Sequence, residues 1–383
     1  MRIIELLRKL GDMLVSKQDP LFLYDVEKQR KYIKKLGTPR NEFERSYFQY
    51  KCQMKFNGVL LTFFLNIFSL PVVIYFLVKE NARIKSIKKK DAVFFRDGKP
   101  GNILPNILRN DYTNIEENPK EGTVLTGFDK QFIRKIMSKY PFSWFFILKC
   151  IIKIGRYSYT IEEYSPDAII VCAEYSYTSS VLTAYCRERN ILHIDVMHGE
   201  KLFYMRDSFF EYDKCYIWDE HYAKLFKELG AEEKQFVISI PPSLKFVTGK
   251  SRIKCYDYTY YLAAEDRATL LKISCALQKL KNAGKKVGIR PHPRYSDIEM
   301  VNKIFCDFSI EKPQEITIEE SLLQTENAIS LYSTVLNQAI CNSVGIVIDD
   351  ISNPIKFEKL QQMEYICINK KHTLLSSIIN EEE

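Results

Sequence analysis

Two short motifs carry the residue types that a phosphate-handling site needs. In Arg290-Pro291-His292-Pro293-Arg294, prolines stand on both sides of a histidine. Their rings restrict the backbone around it, so the imidazole is held extended at low entropic cost. It can donate a hydrogen bond to a phosphate oxygen, and Arg290 and Arg294 can add charge. The plainer reading is a structural histidine in a stiffened turn. About one βα unit later, Tyr332-Ser333-Thr334 opens an amphipathic run. Ser333 suits a helix N-cap, and a helix start offers free N–H groups and a positive dipole end to an anion. Many helices start with serine. What lifts this one is its place after the first motif, where both can converge on one phosphate.

Candidate bases lie earlier in the chain. Met197-His198-Gly199-Glu200-Lys201 follows an apolar run, and Gly199 permits a sharp turn. His198 or Glu200 could there remove a proton from an attacking hydroxyl. The plain alternative is a turn glycine with incidental polar neighbours. Glu174, in Cys172-Ala173-Glu174, stands between a strand pattern and a helix pattern and could bind acceptor or act as base. A glutamate near a helix start is favoured by the dipole in any case. Glu265 and Asp266 are most simply helix-start charges, although they could touch a ribose. The histidines at 193, 198, 221, 292 and 372 form no HxH or HExxH pair, and there is no DxD, so no metal site is expected. Neither a Walker A sequence nor a GxGxxG opens a helix, so neither ATP nor a dinucleotide cofactor is expected.

These residues need strand ends to hold them, and the pattern supplies strands. Runs at 91–95, 123–128, 167–172, 193–197, 214–218 and 236–240 read as strands, with helices at 130–138, 143–163, 176–190 and 219–230 between them. The rhythm repeats with strands at 258–263, 286–290, 327–331 and 344–349 and helices at 265–284 and 333–342. Such alternation predicts parallel sheets covered by helices, an α/β fold. Pro241-Pro242 and the polar stretch to Asp257 mark a boundary. The expectation is a helical region over 1–90, a Rossmann-like acceptor domain over 91–241 and a Rossmann-like nucleotide-donor domain over 257–383. Two such domains facing a cleft would place His198 and His292 on its opposite walls, outside strand C-termini, where such folds bind ligands.

Composition excludes some partners and suggests others. The 383 residues are comfortable for two domains, and a balance of 56 Lys+Arg against 48 Asp+Glu gives +8. That suits a phosphate-bearing substrate or an anionic membrane face. The basic residues are scattered without a nucleic-acid motif, so nucleic acid is not an expected partner. Ten cysteines without CxxC, several inside apolar runs, indicate free thiols in a reducing compartment. The opening residues, MRIIELLRKLGDM, read as an amphipathic helix start without a secretory signal. Residues 57–78 carry no charge and are long enough to cross a bilayer, but Asn66 and Pro71 interrupt them. Basic residues flank both ends, Lys51 and Lys55 before and Lys79, Arg83, Lys85 and Lys88–Lys90 after. Flanks of one sign fit a re-entrant or interfacial anchor better than a span, and the leading expectation is the plainer one, a buried core helix or helical hairpin of a large α/β domain.

At His292-Pro293 and Ser333-Thr334 the sequence resembles bacterial glycosyltransferases of the two-Rossmann, GT-B type, above all the sialyltransferase and polysialyltransferase group. There a His-Pro motif and a later Ser-Ser/Thr motif serve the phosphate of a CMP-linked donor. The group's third motif, two acidic residues before a glycine, is absent, and Arg96-Asp97-Gly98 matches it only in part. His198-Gly199 with Lys201 resembles instead the His-Gly motif of CDP-glycerol glycerophosphotransferases, which also carry an Arg-x-His-Pro. The resemblance covers roughly residues 165 to 350. It implies an inverting, metal-independent transferase that moves a sugar from a nucleotide donor, cytidine-based, to a glycan acceptor in capsule or O-antigen synthesis. On this reading the enzyme is cytoplasmic, or peripheral on the inner face of the membrane. The alternatives are a glycerophosphotransferase and a non-catalytic glycan- or nucleotide-binding protein at the membrane.

Overall fold

The computed structural model describes residues 24–79, 88–246 and 254–381. The chain forms two units, one of Met1–His198 with Tyr204–Ser239, the other of Gly199–Phe203 with Ile240–Glu383. In the first, strands β1 (Ala92–Phe94), β2 (Ile115–Glu116), β3 (Ala168–Val171), β4 (Leu192–Val196), β5 (Lys214–Ile217) and β6 (Phe236–Ile238) make one parallel sheet. Its order is β2-β1-β3-β4-β5-β6. Val93 stands opposite Ile169, and Ile169 opposite His193. Strands buried on both faces need apolar side chains at successive positions. Ala168, Ile169, Ile170 and Val171 are all buried, and one face packs with Phe94, Ile194 and Val196.

Helices α1 (Val26–Leu36), α2 (Glu42–Val78), α3 (Asn106–Asp111), α4 (Gly127–Lys139), α5 (Trp144–Tyr164), α6 (Ser179–Glu188) and α7 (Glu220–Glu228) complete this unit. The run 123–128, expected as a strand, is not one. Thr126 and Asp129 form a capping box, each bonding the other's backbone N–H, and this starts α4 at Gly127. The apolar Val124 and Leu125 are buried as a loop instead, with Val124 N–H donating to Gly155 O at 3.1 Å. A Thr-x-x-Asp pattern thus outweighed a short apolar run.

The described part of the region 1–90 packs into the first unit and forms no layer of its own. Arg45 of α2 pairs with Glu211 at 3.0 Å, both buried, and Gln49 donates to the Glu174 and Arg206 carbonyls at 2.8 and 2.9 Å. The helix breaks at Gly58, whose φ of 78° is left-handed. Beyond the break its character changes. Ser69 and Val73 are buried, but Val59 is 89% exposed, Leu60 70%, Phe63 58% and Phe68 65%. Residues 57–78 therefore do not form a core helix. Of the basic flank after them, Arg83 and Lys85 lie outside the described residues. Lys89 and Lys90 hold the sheet edge, pairing with Asp167 at 3.0 Å and Glu116 at 3.5 Å.

The second unit repeats the plan. Strands β7 (Tyr256–Tyr261), β8 (Val287–Arg290), β9 (Ser309–Ile310), β10 (Thr325–Ser330), β11 (Gly345–Ile348) and β12 (Thr373–Leu374) are parallel, in the order β12-β11-β10-β7-β8-β9. Around them lie α8 (Arg267–Asn282), α9 (Ile298–Ile304), α10 (Ile318–Gln324), α11 (Thr334–Cys341), α12 (Pro354–Gln362), α13 (Ile366–Asn369) and α14 (Leu375–Glu381). Each sheet reverses its winding beside its first strand. In the first unit β2 and β3 flank β1, and in the second β8 and β10 flank β7. Connections leave such a pair of neighbouring strands in opposite directions, which opens a crevice at their C-terminal ends.

Candidate functional site

The crevice of the second unit gathers most of the motif residues. β7 lies between β8 and β10. His292 follows β8 and Ser333 follows β10, so the strands that carry them stand about 10 Å apart at the usual spacing. The loop after β8 is pinned to the end of β7. Leu262 N–H donates to Arg290 O at 2.9 Å, and Ser296 donates to Ala263 O at 2.9 Å while accepting from His292 N–H at 2.8 Å. The ring of His292 is half-buried and stacks on Tyr295, centroids 4.4 Å apart. Burial, and then the charge of Arg294, hold its pKa below the usual histidine value. Its Nδ1 accepts the Arg294 backbone N–H at 3.1 Å. In the neutral ring the proton therefore sits on Nε2, leaving that nitrogen as a donor.

Ser333 caps α11 as its type suggested. Its hydroxyl accepts from Val335 N–H at 3.2 Å. Its backbone is fixed from below by the buried Tyr365, whose hydroxyl donates to Ser333 O at 3.2 Å. Thr334 is the first helical residue and is half-buried. One turn further, Asn337 donates to the carboxylate of Glu200. Glu200 thus belongs with α11 in the second unit, although its sequence neighbour His198 belongs to the first.

Arg290 does not stand beside His292 as expected. Its guanidinium turns inward, 7% exposed, and donates to Glu311 at 2.9 Å and to Ile316 O at 2.8 Å. A buried carboxylate leaves this arginine a structural task. Arg294 is exposed and keeps its charge at the surface of the loop. Glu265, read from sequence as a helix-start charge, instead folds back so that both its oxygens accept the Ala263 N–H, at 2.9 and 2.8 Å. Burial raises its pKa, and it lies at the end of β7 inside the crevice. Nothing in the residue types alone distinguished it from Asp266, the actual cap of α8.

In the first unit His198 is exposed just after β4, and its backbone N–H lies 3.4 Å from Glu174 Oε1. Glu174 is only 1% exposed, and its carbonyl is held by Gln49. It therefore shapes the turn that presents His198. Among the described residues no group of three or more His, Cys, Asp or Glu is placed to hold a metal ion.

No family model and no curated protein matches the chain. Among solved structures it is similar to the wall teichoic acid polymerase TagF, in its H548A variant, with a TM-score of 0.43 and 11% identity over 85% of this chain and 89% of that one. It is similar to the UDP-GlcNAc 2-epimerase from Neisseria meningitidis bound to UDP-GlcNAc, with a TM-score of 0.43 and 10% identity over 76% and 89%. The S. aureus MnaA–UDP structure gives 0.42 and 10% over 72% and 90%. Similarities this low leave function to be read from the chain's own residues.

Proposed function

We propose that the chain is a nucleotide-sugar-dependent glycosyltransferase that builds a bacterial surface polymer. The observation that supports this reading is that His292 and the Ser333–Thr334 helix start follow the strands on either side of β7, at the point where the second sheet reverses. A donor phosphate placed there would accept from His292 Nε2 and from the N–H groups that open α11, with Arg294 adding charge. As the bond from the sugar carbon to the phosphate oxygen breaks, charge grows on that oxygen, and these donors strengthen their hold. Glu200, held by Asn337, takes the proton of the attacking acceptor hydroxyl, whose oxygen bonds to the sugar carbon from the opposite face. The configuration inverts and the nucleotide leaves as its phosphate. His198 is the alternative base.

The donor is cytidine-linked on this proposal, because the His-Pro and Ser-Thr pair resembles the CMP-dependent group and His198-Gly199 the CDP-glycerol group. No metal or other cofactor is required, since His292 and the helix start neutralise the leaving phosphate. The exposed apolar face of α2 supports a reading in which the enzyme works at the cytoplasmic membrane surface, near a lipid-borne glycan acceptor. Donor hydrolysis and transfer with CMP-, CDP-, UDP- and GDP-linked compounds, with and without a chelator, tests all of this. The expected result is chelator-resistant turnover of a cytidine-linked donor, lost in His292→Ala. Turnover unchanged in His292→Ala would overturn the site, and turnover of UDP- or GDP-linked compounds alone would overturn the donor.

A further inference from the structure

His292 stands between two prolines, whose rings restrict the backbone but leave the imidazole free to turn about its own bonds. Other groups must fix the rest. Residues 292–296 close a single turn, with Ser296 N–H donating to His292 O at 3.3 Å. The Ser296 hydroxyl ties that turn to the second sheet. It accepts from His292 N–H at 2.8 Å and donates to Ala263 O, just past the end of β7, at 2.9 Å. The backbone of the histidine is thereby set. Its ring has two holds of its own. The Arg294 backbone N–H donates to Nδ1 at 3.1 Å, and the Tyr295 ring stacks on the imidazole, with centroids 4.4 Å apart and planes 28° apart.

The first of these holds is weak by itself. His292 is half-buried, so water can take the place of the Arg294 N–H at Nδ1 whenever the ring swings to another rotamer. A stacked ring closes one face of the imidazole and leaves one orientation favoured. The turn sets this contact, because three residues on from His292 the chain has come round to lay Tyr295 over it.

Tyr295 has little else to hold. It is 65% exposed and lies outside the apolar cluster beneath the second sheet. A tyrosine with most of its surface in water adds little to the stability of a fold. What its ring does cover is the histidine of the candidate donor site.

We infer that Tyr295 is a positioning residue, whose ring clamps the His292 imidazole so that Nε2–H already faces the donor phosphate when the donor arrives. This rests on the transferase reading, in which His292 donates to the leaving oxygen. An imidazole left to choose among its staggered wells would meet the phosphate correctly only part of the time, and the loss falls on the step in which charge grows on that oxygen. The hydroxyl of Tyr295 takes no part in the stack, so a phenylalanine should serve equally well.

The clamp can be read on the full chain without any substrate, by carbon-13 relaxation of the imidazoles, with the His292 signal identified by its loss in His292→Ala. The ring should be as rigid as the backbone in the native chain and in Tyr295→Phe, and mobile on the picosecond to nanosecond scale in Tyr295→Ala. Transfer kinetics read the consequence. Tyr295→Ala should lower kcat about tenfold while the KM for donor stays within about twofold, since the N–H groups at the start of α11 still bind the phosphate. Tyr295→Phe should restore the native rate. In a His292→Ala background Tyr295→Ala should cost nothing further, because the ring through which it acts is gone. The thermal midpoint should move by no more than about 1–2 °C in either Tyr295 variant. A ring that stays rigid in Tyr295→Ala overturns the inference. So does an unchanged kcat, a rate that phenylalanine does not restore, a loss that adds in full to that of His292→Ala, or a large fall in midpoint, which would mark a structural residue. Full turnover in His292→Ala overturns the transferase site and with it the purpose of the clamp, whereas the relaxation contrast between Tyr295→Ala and Tyr295→Phe belongs to the clamp alone.

Discussion

The buried His193 makes the first unit acid-sensitive by an amount that can be worked out. Its pKa falls to about 3 in the fold because its charge cannot be solvated there, with Arg187 adding repulsion. Unfolded, it titrates near 6.5. The folded pKa is the lower one, so the unfolded state binds a proton first as pH drops. The stability that neutral His193 confers is therefore complete above about pH 6.5 and drains away toward pH 3. Between pH 7 and pH 4 the loss is about 3 kcal/mol from this residue alone. The two tryptophans of the sequence, Trp144 and Trp218, both lie in the first unit, so indole fluorescence follows its unfolding. Urea titrations across this pH range should give steeply falling stability in the native chain. His193→Gln should start lower, because Tyr157 and Thr183 lose well-placed partners, but fall by about 3 kcal/mol less. Parallel curves for the two proteins would refute the claim that His193 is held neutral by burial.

Loss of the donor in His292→Ala should lower kcat by about a hundredfold, and Ser333→Ala should cost less because backbone N–H groups remain at the start of α11; steady-state kinetics decides. Arg290→Met should leave Glu311 buried without its partner and destabilise the second unit by about 3–5 kcal/mol, seen as a lower unfolding midpoint by circular dichroism. Phe63→Asp with Phe68→Asp should lower partitioning onto anionic lipid vesicles by about a hundredfold while leaving the unfolding midpoint in place, because both rings are exposed. Sedimentation with vesicles measures the first effect and thermal unfolding the second.

Much of the fold is legible in the sequence because parallel strands buried on both faces announce themselves as uninterrupted apolar runs. AIIV at 168–171 and GIVI at 345–348 are of this kind. The two-residue strands β2, β9 and β12 are not, since two residues carry no period. The motif residues at strand ends could be found from their types, and Ser333 took up its cap. Arg290 could not be placed, because its partner Glu311 comes from a strand edge that the pattern did not show. Lys153 and Arg156 of α5, half-buried at a small cavity beside the ends of β1 and β3, were hidden for a different reason. In an amphipathic helix a cation on the polar face looks solvated, and only the neighbouring strand ends turn that face into a cavity wall. A signal did exist, since Lys149, Lys153 and Arg156 recur at helical spacing on one stripe, whose acid, Glu163, comes only two turns later.

The assignment of Gly199–Phe203 to the second unit has a consequence for how the protein is made. This segment interrupts the first unit's chain, yet Phe203 donates its N–H to Met363 O, and Leu202 and Phe203 end fully covered. Their neighbours are translated much later. At ribosomal rates of about 5–20 residues per second, the stretch from Ile240 to Met363 takes roughly 6 to 25 seconds to appear. Through that interval the nascent chain carries an apolar hook in the open, on a loop whose two ends are already fixed. Chaperone occupancy during synthesis should peak there, and a stop codon placed after Ser239 should yield a first unit that sticks to itself through Leu202 and Phe203.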